Sequence, residues 1–323
     1  MNRRENHNMK NNYAIIHTDT LLNKYKKEDY NFNQLDHDFH LDLPRLKEAN
    51  VKLVVFAIYV EENYHPNSNG LRKTIQMIDD FYNIIKNNEI MKVAQNYEDI
   101  LKINEDNKIA AILAVEGAKS IYNLAALRVF NKLGVNLITL TWNHRNHIGD
   151  GVGENSSCGL TDFGKEFVQE MKKLNIIVDI SHLNERGFWD VIEIIDKPII
   201  ASHSNAKKLC DHPRNLNDKQ IKAIAKSDGI IGINFCPSFI NKKGQAELKD
   251  VFQHIDYIKN LVGVDYVSLG TDFDGIRETP DGLEDVTKLD KLKDMMLENG
   301  YSDQEINKIC YKNVYRVFNC ILN

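Results

Sequence analysis

Short apolar runs recur along the chain, and most of them stop at polar or glycine residues. Eight can be marked, at residues 13–17, 51–60, 109–115, 135–141, 176–179, 198–201, 230–235 and 266–270. Runs this short and this apolar read as strands buried on both faces. Between them, apolar residues return every three or four positions over 71–90, 120–133, 161–174, 184–195, 217–227, 245–261 and 287–299. That spacing predicts amphipathic helices. Thr161 and Asn217 stand at the heads of two of these patterns, each followed by an aspartate, as helix-capping residues do.

Residues 176–204 show the pattern most plainly. An apolar run ends in Asp179-Ile180-Ser181-His182, and a helical segment follows with Phe188, Val191, Ile192 and Ile195 on one face. Pro198 breaks that helix, and a second run ends in Ser202-His203-Ser204. Strand, helix, strand is a βαβ unit, so the two strands are parallel neighbours, ~4.8 Å apart. His182 and His203 then share the C-terminal edge of the sheet. Either one alone reads as well as a strand-end histidine bonded to a nearby loop. Two in register point to a common metal or substrate.

Eight strands alternating with helices specify a closed α/β (β/α)8 TIM barrel more economically than an open sheet. A chain of 323 residues suits one such domain spanning residues 1–323, with residues 1–11 as a flexible N-terminus. Residues 302–323 read as a C-terminal helical extension, and the polar, aromatic connection over 19–51 reads as an active-site insertion. Hydrophobic content of 42% fits a soluble protein with a large core, and a net charge of −5 with no basic stripe speaks against nucleic acid. No run approaches the ~20 apolar residues of a membrane span, and neither a signal peptide nor a lipid-anchor signal is seen. Five scattered cysteines without a CxxC pair suggest reduced thiols in a cytoplasmic protein.

In a barrel of this kind the reactive groups belong at the C-terminal strand ends. The first strand ends in His17-Thr18-Asp19, and residues two apart face the same side. The third ends in Glu116-Gly117, the fifth and sixth in His182 and His203, and the eighth in Gly270-Thr271-Asp272-Phe273-Asp274-Gly275. Imidazole and carboxylate donors suit Zn²⁺, Mn²⁺, Fe²⁺ or Ni²⁺. Five ligand types exceed one tetrahedral zinc and suit two metals ~3.5–4 Å apart that activate water between them. Arg214, eleven residues past His203, can overhang the same mouth and offer a carboxylate its guanidinium. Asp272 can move a proton between water and a leaving amine.

HTD, AVEGA, ITLTWN, GLTDFG, VDISH, ASHS, HPRN, GINF and GTDFDG, in this order and spacing, resemble the membrane dipeptidase (renal dipeptidase) family of zinc peptidases. The resemblance runs from about residue 13 to YKNVYRVF near the C-terminus. It implies a metal-dependent hydrolase barrel with two Zn²⁺, one held by His17, Asp19 and Glu116 and the other by Glu116, His182 and His203. It further implies Asp272 as the acid/base group, Glu116 as the bridging carboxylate, and Arg214 as the partner of a dipeptide's terminal carboxylate. Tolerance of a C-terminal D-residue, and a homodimer, rest on the resemblance alone. Thr18 stands where the family often has asparagine. Trp142 stands where several members have a substrate-contacting histidine, with Asn143, His144 and His147 as replacements nearby. Phe239 stands where some have tyrosine. The residues themselves leave two other readings open: another amidohydrolase-type hydrolase acting on N-acyl amino acids, lactones or cyclic amides, and a non-catalytic peptide-binding barrel.

Overall fold

The computed structural model describes residues 12–60, 69–86 and 88–323; the expected flexible N-terminus, residues 1–11, lies outside these. Among the described residues nine parallel strands are present: β1 Tyr13–Thr18, β2 Val51–Tyr59, β3 Met91–Val93, β4 Ile109–Glu116, β5 Val135–Thr139, β6 Ile177–Asp179, β7 Ile200–Ala201, β8 Ile230–Ile233 and β9 Val267–Leu269. Eight of them close a ring. β1 pairs with both β2 and β9, β2 pairs directly with β4, and β4 to β9 follow in chain order. The chain therefore folds as a (β/α)8 barrel. β3 stays outside the ring, pairing with the first residues of β4 before β5 takes over that edge at Leu113.

β3 and the helix Tyr97–Glu105 correct the sequence pattern, which read residues 71–90 as one helix and nothing between it and residue 109. The helix runs Asn69–Lys86. The Asn88 side chain then accepts from the amides of Ile90 and Met91, at 2.9 and 3.1 Å, and turns the chain into β3. Met91-Lys92-Val93 has a lysine between two apolar residues and so shows no apolar run, unlike the similarly short β6, β7 and β9.

Elsewhere the helix starts lie where their caps stand. Thr161 accepts from Gly164 N, Asn184 from Gly187 N, and Asn217 forms a reciprocal capping box with Gln220. Every second strand residue faces inward. Ala14, Ile16, Leu53, Val55, Ala110, Ile112, Leu137, Ile177, Ile200 and Ile230 form one buried cluster inside the barrel. Val314, Val317, Phe318 and Ile321 of the helix Asn313–Ile321 belong to the same cluster, as do Ile100 and Ile103. These two helices close the barrel floor, and Tyr97 N bonds Leu322 O where they meet. The opposite, C-terminal rim is left open for chemistry.

The connection after β1 carries two short helices, Thr20–Lys26 and Leu43–Glu48. It is tied to the exit of β9: His40 N donates to Asp274 Oδ1 at 2.8 Å, and Asp274 N donates back to His40 Nδ1 at 2.9 Å. All five cysteines are free. Among the described residues no helix is long and apolar enough to cross a membrane.

Candidate metal centre

Six of the expected site residues meet at the open rim. Glu116 Oε1 lies 2.9 Å from His182 Nε2, 3.3 Å from His203 Nε2 and 3.7 Å from His17 Nε2. His17 Nε2 lies 3.5 Å from Asp19 Oδ2 and 4.0 Å from Asp272 Oδ1. Ligand atoms of these six residues fall into two groups, each within 4.8 Å: Glu116 with His182 and His203, and His17 with Asp19 and Asp272.

Local backbone devices aim these side chains. Strict alternation would send His17 outward with Ile15. However, β1 pairs Ile15 with Val54 and Thr18 with Phe56, three steps against two. That extra residue is a bulge, and it turns His17 into the mouth. Glu116 needs no such device, being in step with the inward Ala110, Ile112 and Ala114. Gly117 follows at φ 79, a conformation a side chain would strain, and a Cβ there would lie 3.4 Å from Trp142 N. His182 and Asp272 adopt left-handed backbone as well, at φ 66 and 61.

Electrostatically the rim is short of positive charge. Burial opposes a charged His17, but Glu116, Asp19 and Asp272 outweigh it and raise that imidazole to about 10. Glu116 is held well above the usual carboxylate range by burial and by Asp19, against the pull of His17. Burial pushes Asp272 up, His17 pulls it back and Asp19 adds to the rise, leaving it at about 7. Burial, with Arg214 and His17 close by, drives His182 and His203 well below the usual range, so both are neutral imidazoles.

These neutral rings fit a metal. His182 Nδ1 faces Asn143 Oδ1 at 2.8 Å and so carries its proton there. His203 Nδ1 faces Ser202 Oγ at 2.7 Å, a hydroxyl that donates to Asp179. Both Nε2 atoms are therefore bare lone pairs, yet they stand 2.9 Å apart. Two lone pairs at that distance repel unless a cation lies between them and Glu116. His17 Nε2 and Asp19 Oδ1 are likewise buried without a hydrogen-bond partner. The donor set is imidazole and carboxylate, with no thiolate.

The mouth above is a cavity of about 440 Å³, and Trp142, Asn143 and Phe239 line it. Trp142 stacks on His182, with centroids 5.7 Å apart, and Tyr59 packs on its other side at 5.1 Å. Of the loop residues able to replace the missing histidine contact, Asn143 reaches the site. His144 pairs with Glu154 at 3.3 Å, and His147 bonds the Ile121 carbonyl at 2.9 Å. Arg214 is buried beside the site, where its charge acts on Asp272 and Glu116. It lies 5.5 Å from the Phe239 ring centroid, with Nη2 on the His203 carbonyl at 3.1 Å and Nε without a hydrogen-bond partner.

Sequence reasoning passed over Asp179 and Ser202. They sit two residues past the inward Ile177 and Ile200, so period-two counting along β6 and β7 would have placed both inside the barrel.

Comparison with known proteins agrees with this geometry. The model of the family described as "Membrane dipeptidase (Peptidase family M19)" matches residues 4–322. The chain belongs to this family. A fellow dipeptidase, tcpJ of Claviceps purpurea (strain 20.1), is 33% identical over 290 residues, covering 86% of this chain and 68% of the relative. Dipeptidase aclJ of Aspergillus oryzae is 33% identical over 309 residues, 91% of this chain and 73% of its own. A metallo peptidase from Rhodobacter sphaeroides, solved with a phosphinate mimic of the dipeptide L-Ala-D-Ala, superposes with a TM-score of 0.90. It is 28% identical and covers 97% of this chain and 100% of its own. The protein is thus a metallopeptidase of the dipeptidase type.

Proposed function

We propose that this dipeptidase works with two divalent metals, Zn²⁺ foremost, and cleaves dipeptides bearing a free C-terminal carboxylate, including those ending in a D-residue. The observation that carries the proposal is the convergence of three imidazole Nε2 atoms on one oxygen of Glu116, all within 3.7 Å. His17, Asp19 and Glu116 would hold one ion, and Glu116, His182 and His203 the other. The chemistry such a pair supplies when bound is Lewis acidity toward a water and a carbonyl.

The chain's own groups do the rest. Asp272, left near neutrality by its surroundings, takes a proton from water and returns it to the leaving amine. Asn234 Nδ2 donates to Asp272 Oδ2 at 2.9 Å and leaves Oδ1 for that proton. Arg214, buried and with its Nε open, pairs with the substrate's terminal carboxylate. Trp142, Asn143 and Phe239 form the walls against which the substrate packs and from which water is excluded. Tolerance of a D-residue draws support from the L-Ala-D-Ala mimic bound by the Rhodobacter relative. A cytoplasmic setting draws support from five unpaired cysteines.

The test is a panel of L,L and L,D dipeptides, with their N-acetylated and C-amidated forms, run with added Zn²⁺ alongside elemental analysis. Two ions per chain and turnover confined to free dipeptides are expected. Cleavage of N-acetyl amino acids or lactones in preference to dipeptides would overturn the proposal.

A further inference from the structure

Beneath the rim, between the apolar barrel interior and the ligands, lies a polar layer that the chemistry above leaves unused. Thr139, Asp179 and Ser202 follow the inward Leu137, Ile177 and Ile200 by two residues on adjacent strands. Asp179 is fully buried and receives four hydrogen bonds. Its Oδ1 accepts from Ser181 N at 3.0 Å and Ser202 N at 2.8 Å. Its Oδ2 accepts from Thr139 Oγ1 and Ser202 Oγ, each at 2.6 Å.

A serine hydroxyl has one proton and two lone pairs. Ser202 gives its proton to Asp179, so its oxygen can only accept from the groups around it. Those groups are His203 Nδ1 at 2.7 Å, and His17 Nδ1 and Ser181 Oγ at 3.4 Å each. A ring bonded to this hydroxyl carries a proton on Nδ1 and directs Nε2 to the rim as the atom that would bind a metal. His17 belongs to one ligand trio and His203 to the other. We propose that Asp179 and Ser202 are positioning residues that join the two metal sites: one hydroxyl, anchored on one buried carboxylate, fixes the tautomer and angle of a ligand in each. The inference rests on the two-metal proposal above.

Three further observations agree. The ligand atoms of His17, Asp179 and His203 lie within 4.8 Å of one another, but Ser202 Oγ occupies their centre. That trio is a support for the centre and not a third ion site. The Ser202 backbone is also closely packed from behind. A Cβ on Gly270 would fall 1.7 Å from the Ser202 carbonyl oxygen, so β9 leaves room there for the β7 backbone. The two rings that share the hydroxyl pack together, with centroids 3.8 Å apart, so one cannot swing without the other.

Carboxylate-backed histidine ligands lose about 10- to 100-fold in metal affinity when the backing group is removed. Ser202→Ala deletes the hydroxyl and leaves every ligand in place. The experiment titrates metal-free wild type and Ser202→Ala with Co²⁺ and Zn²⁺ against a competing chelator, and follows the Co²⁺ absorption bands. Both sites of Ser202→Ala should weaken together, about 10- to 100-fold each, with altered Co²⁺ bands, while the metal-free protein keeps a cooperative unfolding transition. Wild-type affinity at both sites, or weakening at only one, overturns the inference. Should Ser202→Ala not fold, Thr139→Val decides, because it removes one anchor of Asp179 without touching a ligand. Parallel weakening at both sites supports the relay, and unchanged affinities refute it. Wild type that binds two ions but cleaves no dipeptide sinks the functional proposal and leaves this one standing; wild type that binds fewer than two sinks this one.

Discussion

Asp272→Asn separates proton transfer from metal binding. The substitution keeps the size and shape of the side chain. An amide oxygen in place of Oδ2 still accepts from Asn234 Nδ2, now at 2.9 Å. The backbone at φ 61 suits asparagine at least as well as aspartate. What disappears is the group that takes and returns a proton beside His17, 4.0 Å away. General acid–base catalysis contributes about 10²- to 10⁴-fold, or about 3–5 kcal/mol of barrier. The assay measures kcat and KM on a cleaved dipeptide and metal content on the same preparation. A fall in kcat of a hundredfold or more is expected, with KM within a few-fold and the metal count unchanged. A kcat within threefold of wild type would refute the role. Loss of metal together with activity would make Asp272 a ligand beside His17 and Asp19, whose donor atoms lie within 4.8 Å of it.

Arg214→Met should raise KM for dipeptides about 10- to 150-fold, the range of a charged hydrogen bond worth about 1.5–3 kcal/mol, without changing metal content. Amidated dipeptides should be poor substrates for both proteins; equal KM values on free dipeptides would count against the pairing. His40 accepts from Asp274 N through Nδ1, and burial with Arg45 nearby lowers it to about 4, against the raising effect of Asp285. Its folded value lies below the unfolded 6.5, so its contribution to stability is present above pH 6.5 and is lost as pH falls through 4, at most about 3 kcal/mol. His40→Asn keeps the acceptor and should flatten the acid limb of urea unfolding between those values; parallel curves would contradict it. Phe318→Ala, in the helix that closes the barrel floor, should cost about 3–5 kcal/mol in urea unfolding while leaving kcat of the folded enzyme unchanged.

The legible parts of this chain are those where one physical signal acts alone. Short continuous apolar runs marked the barrel strands, and Thr161 and Asn217 marked helix starts, because a cap must stand next to the amides it satisfies. His182 and His203 were legible as neighbours because a βαβ unit permits only one handed arrangement of its strands. β3 escaped because Lys92 interrupts Met91 and Val93 and leaves no apolar run. The inward turn of His17 was expected from its spacing to Asp19, but alternation from Ile15 would face it outward, and a bulge set by pairing with β2 supplies the aim. No sequence rule encodes that register. Arg214 was expected near the mouth from its loop position, but its direction was not legible, because packing on Phe239 and a bond to the His203 carbonyl set it. Where a long side chain goes depends on what it packs under.

The backbone shows how the two ends of the barrel divide their work. Four non-glycine residues with positive φ, Asn50, Asn107, Asn175 and Asp228, each lie between a helix and the next strand at the barrel floor. At three of these turns the following amide bonds the carbonyl five residues back: Lys108 to Ile103, Ile176 to Met171 and Gly229 to Ile224, at 3.0 Å each. These are Schellman-type ends, where a left-handed residue completes the helix. The other positive-φ residues, His182, Asp272 and Asp274, lie at the rim, where no helix ends. Left-handed backbone at a non-glycine residue costs of order 1–3 kcal/mol and persists only where the surroundings enforce it. At His182 the enforcement is visible: Val152 N holds its carbonyl at 2.9 Å, Asn143 holds its ring, and Leu183 bridges to Gly151. The same conformation thus closes helices at one end of the barrel and aims ligands at the other. Replacing His182 by asparagine should therefore relieve the backbone while removing a ligand. A folded protein more resistant to urea without metal, yet retaining no more than one ion, is the expected pair of results. A variant less stable than wild type in the absence of metal would show that the ring, and not the backbone, is what holds the loop.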